Sequence, residues 1–361
     1  MPDRHRQHWT HPGAFATESG AALADPVTAY ETWGALDAEG GNAILLTTGL
    51  SPSAHAARHH AGDDPGWWEE MVGPGKPLDT DRWFVVCANV LGGCHGSTGP
   101  ATLDSSSGRP YALGFPLVTL RDMMRLQHGL LAALGVRRLH AVVGSSMGGM
   151  LALEYAALFP GAVERLVAIS ASGQTHPFAI ALRRVQRQAV RLDPAWRGGA
   201  YYDSGPPFAG LALARELGTI TYRSDQEWSR RFGRAWQAGD PFAFDGQFAV
   251  ESYLEHQGAK YAQVYDANSY LYLSRAMDLH DLGRDRGGLA AGVARISAPA
   301  LLIGVTTDVL IPPPELDELA AAFAAAGRPA ELLMLDLDTG HDSFLLHPHA
   351  FGPPLARFLT D

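Results

Sequence analysis

Cysteine is nearly absent, with Cys87 and Cys94 the only two in 361 residues. Two thiols cannot staple a chain of this length, and their separation does not match the closely spaced pairs of a zinc ribbon, so a reducing cytoplasm fits best. A basic surplus is missing too. The formal net charge is -10 and no run of five basic residues occurs, which leaves no electrostatic footprint for nucleic acid. No apolar run approaches the length that spans a bilayer. Met1 to Phe15 is polar, rich in His and Arg, and has no apolar core of a signal peptide. The expectation is a soluble, unexported protein with no membrane partner.

What is present is core-forming material: hydrophobic residues make up 46% and charged residues 18%, the profile of a chain that folds. Runs rich in Val, Ile and Leu read as buried parallel strands at Asn42 to Thr47, Trp83 to Asn89, Leu139 to Gly144, Leu166 to Ser170, Ala300 to Val305 and Glu331 to Leu335. Helical patterns lie between some of them, the clearest from Leu120 to Leu134, ahead of Gly135. This is the rhythm of an α/β, doubly wound sheet. It breaks between 173 and 297, where Ala179 to Leu192 and Phe248 to Tyr265 read as long helices without buried strands. The expected organisation is a core of residues 1–172 plus 298–361, interrupted by a helical lid over 173–297. No internal repeat is present.

The strongest chemical signal is Gly144-Ser145-Ser146-Met147-Gly148, directly after one expected strand and directly before a helical run. A strand that turns sharply into a helix holds its central serine in a strained conformation, and side chains at the flanking glycines would collide with it. Such a serine needs a base, and the base an orienting carboxylate, in the chain order Ser, Asp, His that goes with this elbow in the α/β-hydrolase fold. Asp308 follows the strand Ala300 to Val305, and His341 follows the last strand. Taken singly, Asp308 is equally a helix cap and His341 a loop histidine; order and placement single them out together. An oxyanion hole requires the amide after the nucleophile and one from the loop after an early strand, which nominates Met147 and Thr47.

Three other patterns are set aside. Gly73-Pro74-Gly75-Lys76-Pro77 resembles a phosphate loop, but Pro77 stands where a hydroxyl would bind magnesium. His55, His59 and His60 lack an evident third ligand, so no metal is expected. Cys94, in the loop Gly92 to Gly96, reads as packed rather than nucleophilic.

Around these residues the chain resembles the homoserine O-acetyltransferase family of α/β-hydrolase-fold acyltransferases and its relatives that acylate L-serine. The likeness runs over nearly the whole length, through Tyr30 to Gly34, Pro65 to Trp68, Gly73 to Trp83, Asn89 to Pro100, Gly144 to Met150, Val250 to Leu254, Ser269 to Asp278 and Gly340 to Leu345. The resemblance implies Ser146, Asp308 and His341 as the triad, acyl-CoA as co-substrate with no bound cofactor, and a homodimer through the lid. It also implies that Arg215, Tyr222 and Asp342 bind the amino-acid acceptor. A planar guanidinium suits an α-carboxylate, and a carboxylate beside the base suits the ammonium.

The loop Thr47 to Ala56, with Gly49 and Pro52, resembles the serine O-acyltransferases, whereas Gly92-Gly93-Cys94 and Arg121-Asp122-Met123 resemble acetyl-CoA users. The expected activity is O-acylation of L-serine through an acyl-Ser146 intermediate, acetyl slightly ahead of succinyl. Homoserine O-acetyltransferase and an esterase of the same fold are the alternatives.

Overall fold

The computed structural model describes residues 5–361. Eight strands form the central sheet: β1 (Gln7–Thr10), β2 (Val27–Trp33), β3 (Ala43–Thr47), β4 (Phe84–Ala88), β5 (Leu139–Ser145), β6 (Val163–Ile169), β7 (Ala300–Val305) and β8 (Ala330–Leu335). Their spatial order is β1-β2-β4-β3-β5-β6-β7-β8. From β4 to β8 every pairing is parallel, whereas β1 and β2 pair antiparallel at one edge. The six parallel strands are those the apolar runs predict; β1 and β2 went unread because both mix polar with apolar residues.

Strand residues alternate between two apolar clusters, one on each face of the sheet. Leu45, Val142 and Leu166 belong to the first, and Ile44, Val143 and Val167 to the second. Helices cover both faces, as a parallel sheet requires. Helix α1 (Leu120–Ala133) starts at a capping box in which Thr119 and Asp122 exchange side-chain and backbone hydrogen bonds. Helix α2 (Met147–Leu158) follows β5 without a connecting loop.

Between β6 and β7 the chain leaves the sheet and builds α3 (Pro177–Leu192), α4 (Phe208–Tyr222), α5 (Asp225–Phe232), α6 (Ala249–Ala262) and α7 (Ala267–Asp278). Helix α4 packs between α3 and α6, and α3 also meets α7. A short hairpin pairs Trp236–Ala238 with Gln247–Phe248 in this segment. No helix among the described residues is long and apolar enough to cross a membrane.

Candidate active site

The elbow is built by steric exclusion. Ser146 sits at φ 55°, ψ -125°, in a region that side-chain-bearing residues rarely adopt. A Cβ at Gly144 would lie 2.1 Å from Thr47 Oγ1 and 2.2 Å from the Gly148 carbonyl oxygen, and one at Gly148 would lie 2.3 Å from the Thr47 carbonyl oxygen. Only glycine lets the turn close against β3. Thr47 secures it further, its hydroxyl contacting the carbonyls of Gly148 at 2.7 Å and Val143 at 3.1 Å.

His341 Nε2 lies 2.8 Å from Ser146 Oγ, and His341 Nδ1 lies 2.7 Å from Asp308 Oδ2. The other Asp308 oxygen accepts from the backbone N–H groups of Leu310 and Ile311, both at 2.9 Å, which fixes the carboxylate plane. Thr307 ties the two loops together: its hydroxyl donates to the Leu337 carbonyl at 2.6 Å and accepts from the Gly340 amide at 3.1 Å. Both Asp308 and His341 are 3% exposed. Burial alone would lower the His341 pKa, but the charge and hydrogen bond of Asp308, with Asp342 adding to them, leave it raised above the ordinary histidine value.

Ser146 and His341 open into a cavity of about 130 Å³, walled on one side by Gly49, Leu50, Ser51, Pro52 and Trp67 and on the other by residues of the helices between β6 and β7. Arg183 and Gln186 come from α3, Arg215 and Tyr222 from α4. The Arg215 guanidinium lies between two aromatic faces, 5.0 Å from the Tyr222 centroid and 4.9 Å from that of Tyr261, and donates to Ser51 Oγ at 3.2 Å. No carboxylate among the described residues pairs with it within 4.0 Å. Asp342 also lines the cavity; Arg223 Nη2 lies 3.6 Å from it, and burial raises its carboxyl pKa against the pull of that charge.

The α/β-hydrolase fold family matches residues 42–348. Serine O-succinyltransferase from Xanthomonas campestris is 47% identical over 97% of this chain and 96% of its own length. Homoserine O-acetyltransferase from Moorella thermoacetica is 46% identical over 95% and 93%. The crystal structure of homoserine O-acetyltransferase from Bacillus anthracis superposes with a TM-score of 0.93 at 28% identity, covering 99% of this chain and 97% of that one. The chain belongs to the serine and homoserine O-acyltransferases. It is an acyltransferase. An esterase crystal structure also superposes, at a TM-score of 0.90 and 30% identity over 98% of this chain and 99% of that one, so this fold is shared with hydrolases.

Within this family framework the structure corrects one residue assignment. Thr47 ends β3, is fully buried between Ala88 and Gly144 of the neighbouring strands, and does not line the cavity; its part is to lock the elbow. The loop that does line it supplies the N–H groups of Gly49, Leu50 and Ser51, and none of these is donated to a described residue. Met147 opens α2, where the first amides have no intrahelical acceptor.

The two signatures shared with acetyl-CoA users stand apart from the cavity. Arg121 bridges Glu154, Glu18 and the carbonyls of Asp281 and Arg284, while the largely buried Cys94 thiol has its pKa pushed up to about 12 by that burial. Arg183 is a charged cavity residue that sequence reasoning missed, because nothing in a helical Arg signals which way it points.

Sequence reasoning also missed a partner for the histidines: Glu31 Oε2 lies 2.9 Å from His55 Nδ1 and 2.8 Å from His59 Nε2. His55 Nε2 meets the Asp64 carbonyl at 2.9 Å. Acceptors face both nitrogens of His55, and against the penalty of burial the Asp64 carbonyl and Glu31 raise its pKa, which favours the imidazolium beside Glu31. His60 takes no part in it.

Proposed function

We propose that this protein is an acyl-CoA:L-serine O-acyltransferase that works through an acyl-Ser146 intermediate, with succinyl as the favoured acyl group. His341 takes the Ser146 proton as Oγ attacks the thioester carbonyl, and the amides of Met147 and Leu50 hold the oxyanion. Collapse of that intermediate breaks the C–S bond, and CoA leaves with the proton from His341. The acceptor hydroxyl then gives its proton to His341 and attacks the acyl carbon; the acyl–Oγ bond breaks and His341 returns the proton to Ser146 Oγ. Asp308 keeps the imidazole in the tautomer that both steps need.

Arg215 and Asp342 on the cavity wall suit the α-carboxylate and ammonium of an amino acid, with Tyr222 stacked on the guanidinium. The small volume and the stiff Gly49–Pro52 loop favour serine over the longer homoserine.

The observation that carries the choice of donor is Arg183. It is 5% exposed, lines the cavity, and its Nη2 has no hydrogen-bond partner among the described residues. An unsatisfied buried guanidinium N–H on the wall of the cavity that Ser146 opens into suits the distal carboxylate of a succinyl group and has no counterpart on acetyl. This reverses the order of donors expected from sequence.

A homodimer belongs to the same reading, supported by the exposed Phe208, Leu213 and Ile220 on α4. So does a cytoplasmic setting, supported by the two free cysteines.

The test is CoA release with succinyl-CoA or acetyl-CoA, each offered with L-serine or L-homoserine. The highest kcat/KM should belong to succinyl-CoA with L-serine, and the difference between the two acceptors should be about 10 to 200-fold, the scale of one methylene. A preference for acetyl-CoA with homoserine overturns this reading, and free acid as the sole product makes the protein an esterase.

A further inference from the structure

The loop that walls the cavity is gripped from outside by two side chains. Tyr265 donates its hydroxyl hydrogen to the Leu50 carbonyl at 2.6 Å. His95 Nε2 lies 3.1 Å from the Ser51 carbonyl, and a carbonyl only accepts, so the ring carries its proton on Nε2. The two grips fall on consecutive peptide planes, and the two rings touch edge to face, 5.6 Å apart at 73°. Neither residue lines the cavity.

Tyr265 is itself well anchored. It stacks on Tyr261 at 4.7 Å and 18°, and Tyr261 presents its face to Arg215. The adjoining Asp266 caps α7 through the Ser269 amide at 2.7 Å and takes the hydroxyls of Tyr201 and Tyr202. Burial raises the Tyr265 pKa well above the ordinary tyrosine value, which keeps its hydroxyl a donor.

We propose that Tyr265 and His95 are positioning residues for the oxyanion hole: by holding the carbonyls of Leu50 and Ser51 they pin the two peptide planes that follow the Leu50 N–H, and with them the Leu50 Cα that this amide is attached to. A free loop could rotate these peptide planes and swing the Leu50 N–H along with its Cα, and an oxyanion hole stabilises charge only when its donors are already aimed. Because Tyr265 lies in the turn between α6 and α7, the lid sets the oxyanion donor as well as the acceptor pocket. This inference rests on the acyl-Ser146 reading and extends it to residues outside the cavity.

An oxyanion forms in both half-reactions, which gives the proposal a signature. Tyr265→Phe keeps the buried ring and removes only the donor. It should slow acylation by acyl-CoA and deacylation by the amino acid by the same factor, roughly 10 to 50-fold, somewhat below the loss of an oxyanion donor itself. The KM for the acceptor should stay within about twofold, because Arg215 and Asp342 are untouched.

His95→Ala should act in the same way, and His95→Gln, which retains an N–H donor, should recover part of the rate. Acylation by p-nitrophenyl acetate, followed as the nitrophenolate burst, should fall in parallel. That readout separates this inference from the choice of substrate, since it needs neither CoA nor an amino acid. An unchanged burst rate in Tyr265→Phe, or a loss confined to one half-reaction, overturns the proposal. So does failure of His95→Gln to exceed His95→Ala when both keep the parent melting temperature.

Discussion

Arg183 donates through Nε to Asp278 at 2.7 Å, and Asp278 is also paired with Arg187 at 2.6 Å. One carboxylate therefore serves two largely buried guanidiniums, and Arg183 carries its charge to the cavity wall. Arg183→Gln should lower kcat/KM for succinyl-CoA about 10 to 150-fold more than for acetyl-CoA, the range of a hydrogen bond to a charged group. Equal losses with both donors would assign Arg183 to holding α3 against α7 instead.

The base must be neutral to take the Ser146 proton. With its pKa raised by Asp308, His341 is protonated to a higher pH than a free histidine, so kcat/KM should fall on acidification with a midpoint above about 6.5. Asp308→Asn should lower kcat on the order of 10⁴-fold and move that limb to lower pH. A pH–rate profile of both proteins checks this.

The Glu31 and His55 pair makes a stability prediction with two flanks. Burial works against the Glu31 carboxylate, but the hydrogen bonds and charges of His59 and His55 outweigh it and lower its pKa. Burial likewise opposes the His55 imidazolium, but the Asp64 carbonyl and Glu31 raise its pKa. The Glu31 contribution is complete above the ordinary carboxylate range and disappears as pH falls through its lowered value. The His55 contribution is complete below about 6.5 and disappears as pH rises through its raised value. Glu31→Gln should therefore cost most melting temperature between these limits and converge toward the parent on either side. A constant difference across the pH range would contradict the pairing.

Ser146 holds a backbone conformation that stores roughly 1–3 kcal/mol. Ser146→Gly should abolish acyl transfer and raise stability by about 1 kcal/mol, a gain that thermal unfolding would detect. A destabilised variant would mean that the hydroxyl's bond to His341 outweighs the strain.

Arg215→Ala should leave the CoA burst nearly intact and impair only the second half-reaction, since among the reactants only the acceptor presents an α-carboxylate. Rapid-quench measurement of each step separates the two. Equal loss in both would place Arg215 in the support of the Ser51 loop.

The sequence was legible where one segment states its own structure. The apolar runs of β3 to β8 announce a parallel sheet, and Gly144 to Gly148 describes a turn whose glycines are demanded by contacts a few residues away. Asp308 and His341 could be named because each follows such a run. The rest depends on surfaces that meet late. Tyr265 reaches Leu50, Arg183 reaches the cavity, and Glu31 reaches His55 only because the inserted helices, the loops and the edge strands pack as they do. Thr47 was misassigned for the same reason: sequence placed it at a strand end but could not tell an inward hydroxyl that braces the elbow from an amide that faces substrate.

The guanidiniums of Arg183 and Arg215 line one small cavity from neighbouring helices, and both reach it without a carboxylate left over to neutralise them fully. The acylated amino acid formed from a succinyl donor carries two carboxylates, one for each. Such a product is held at both ends, whereas an acetylated one is held at a single end. On the succinyl reading proposed above, product departure should pace turnover and added product should inhibit in competition with the substrates.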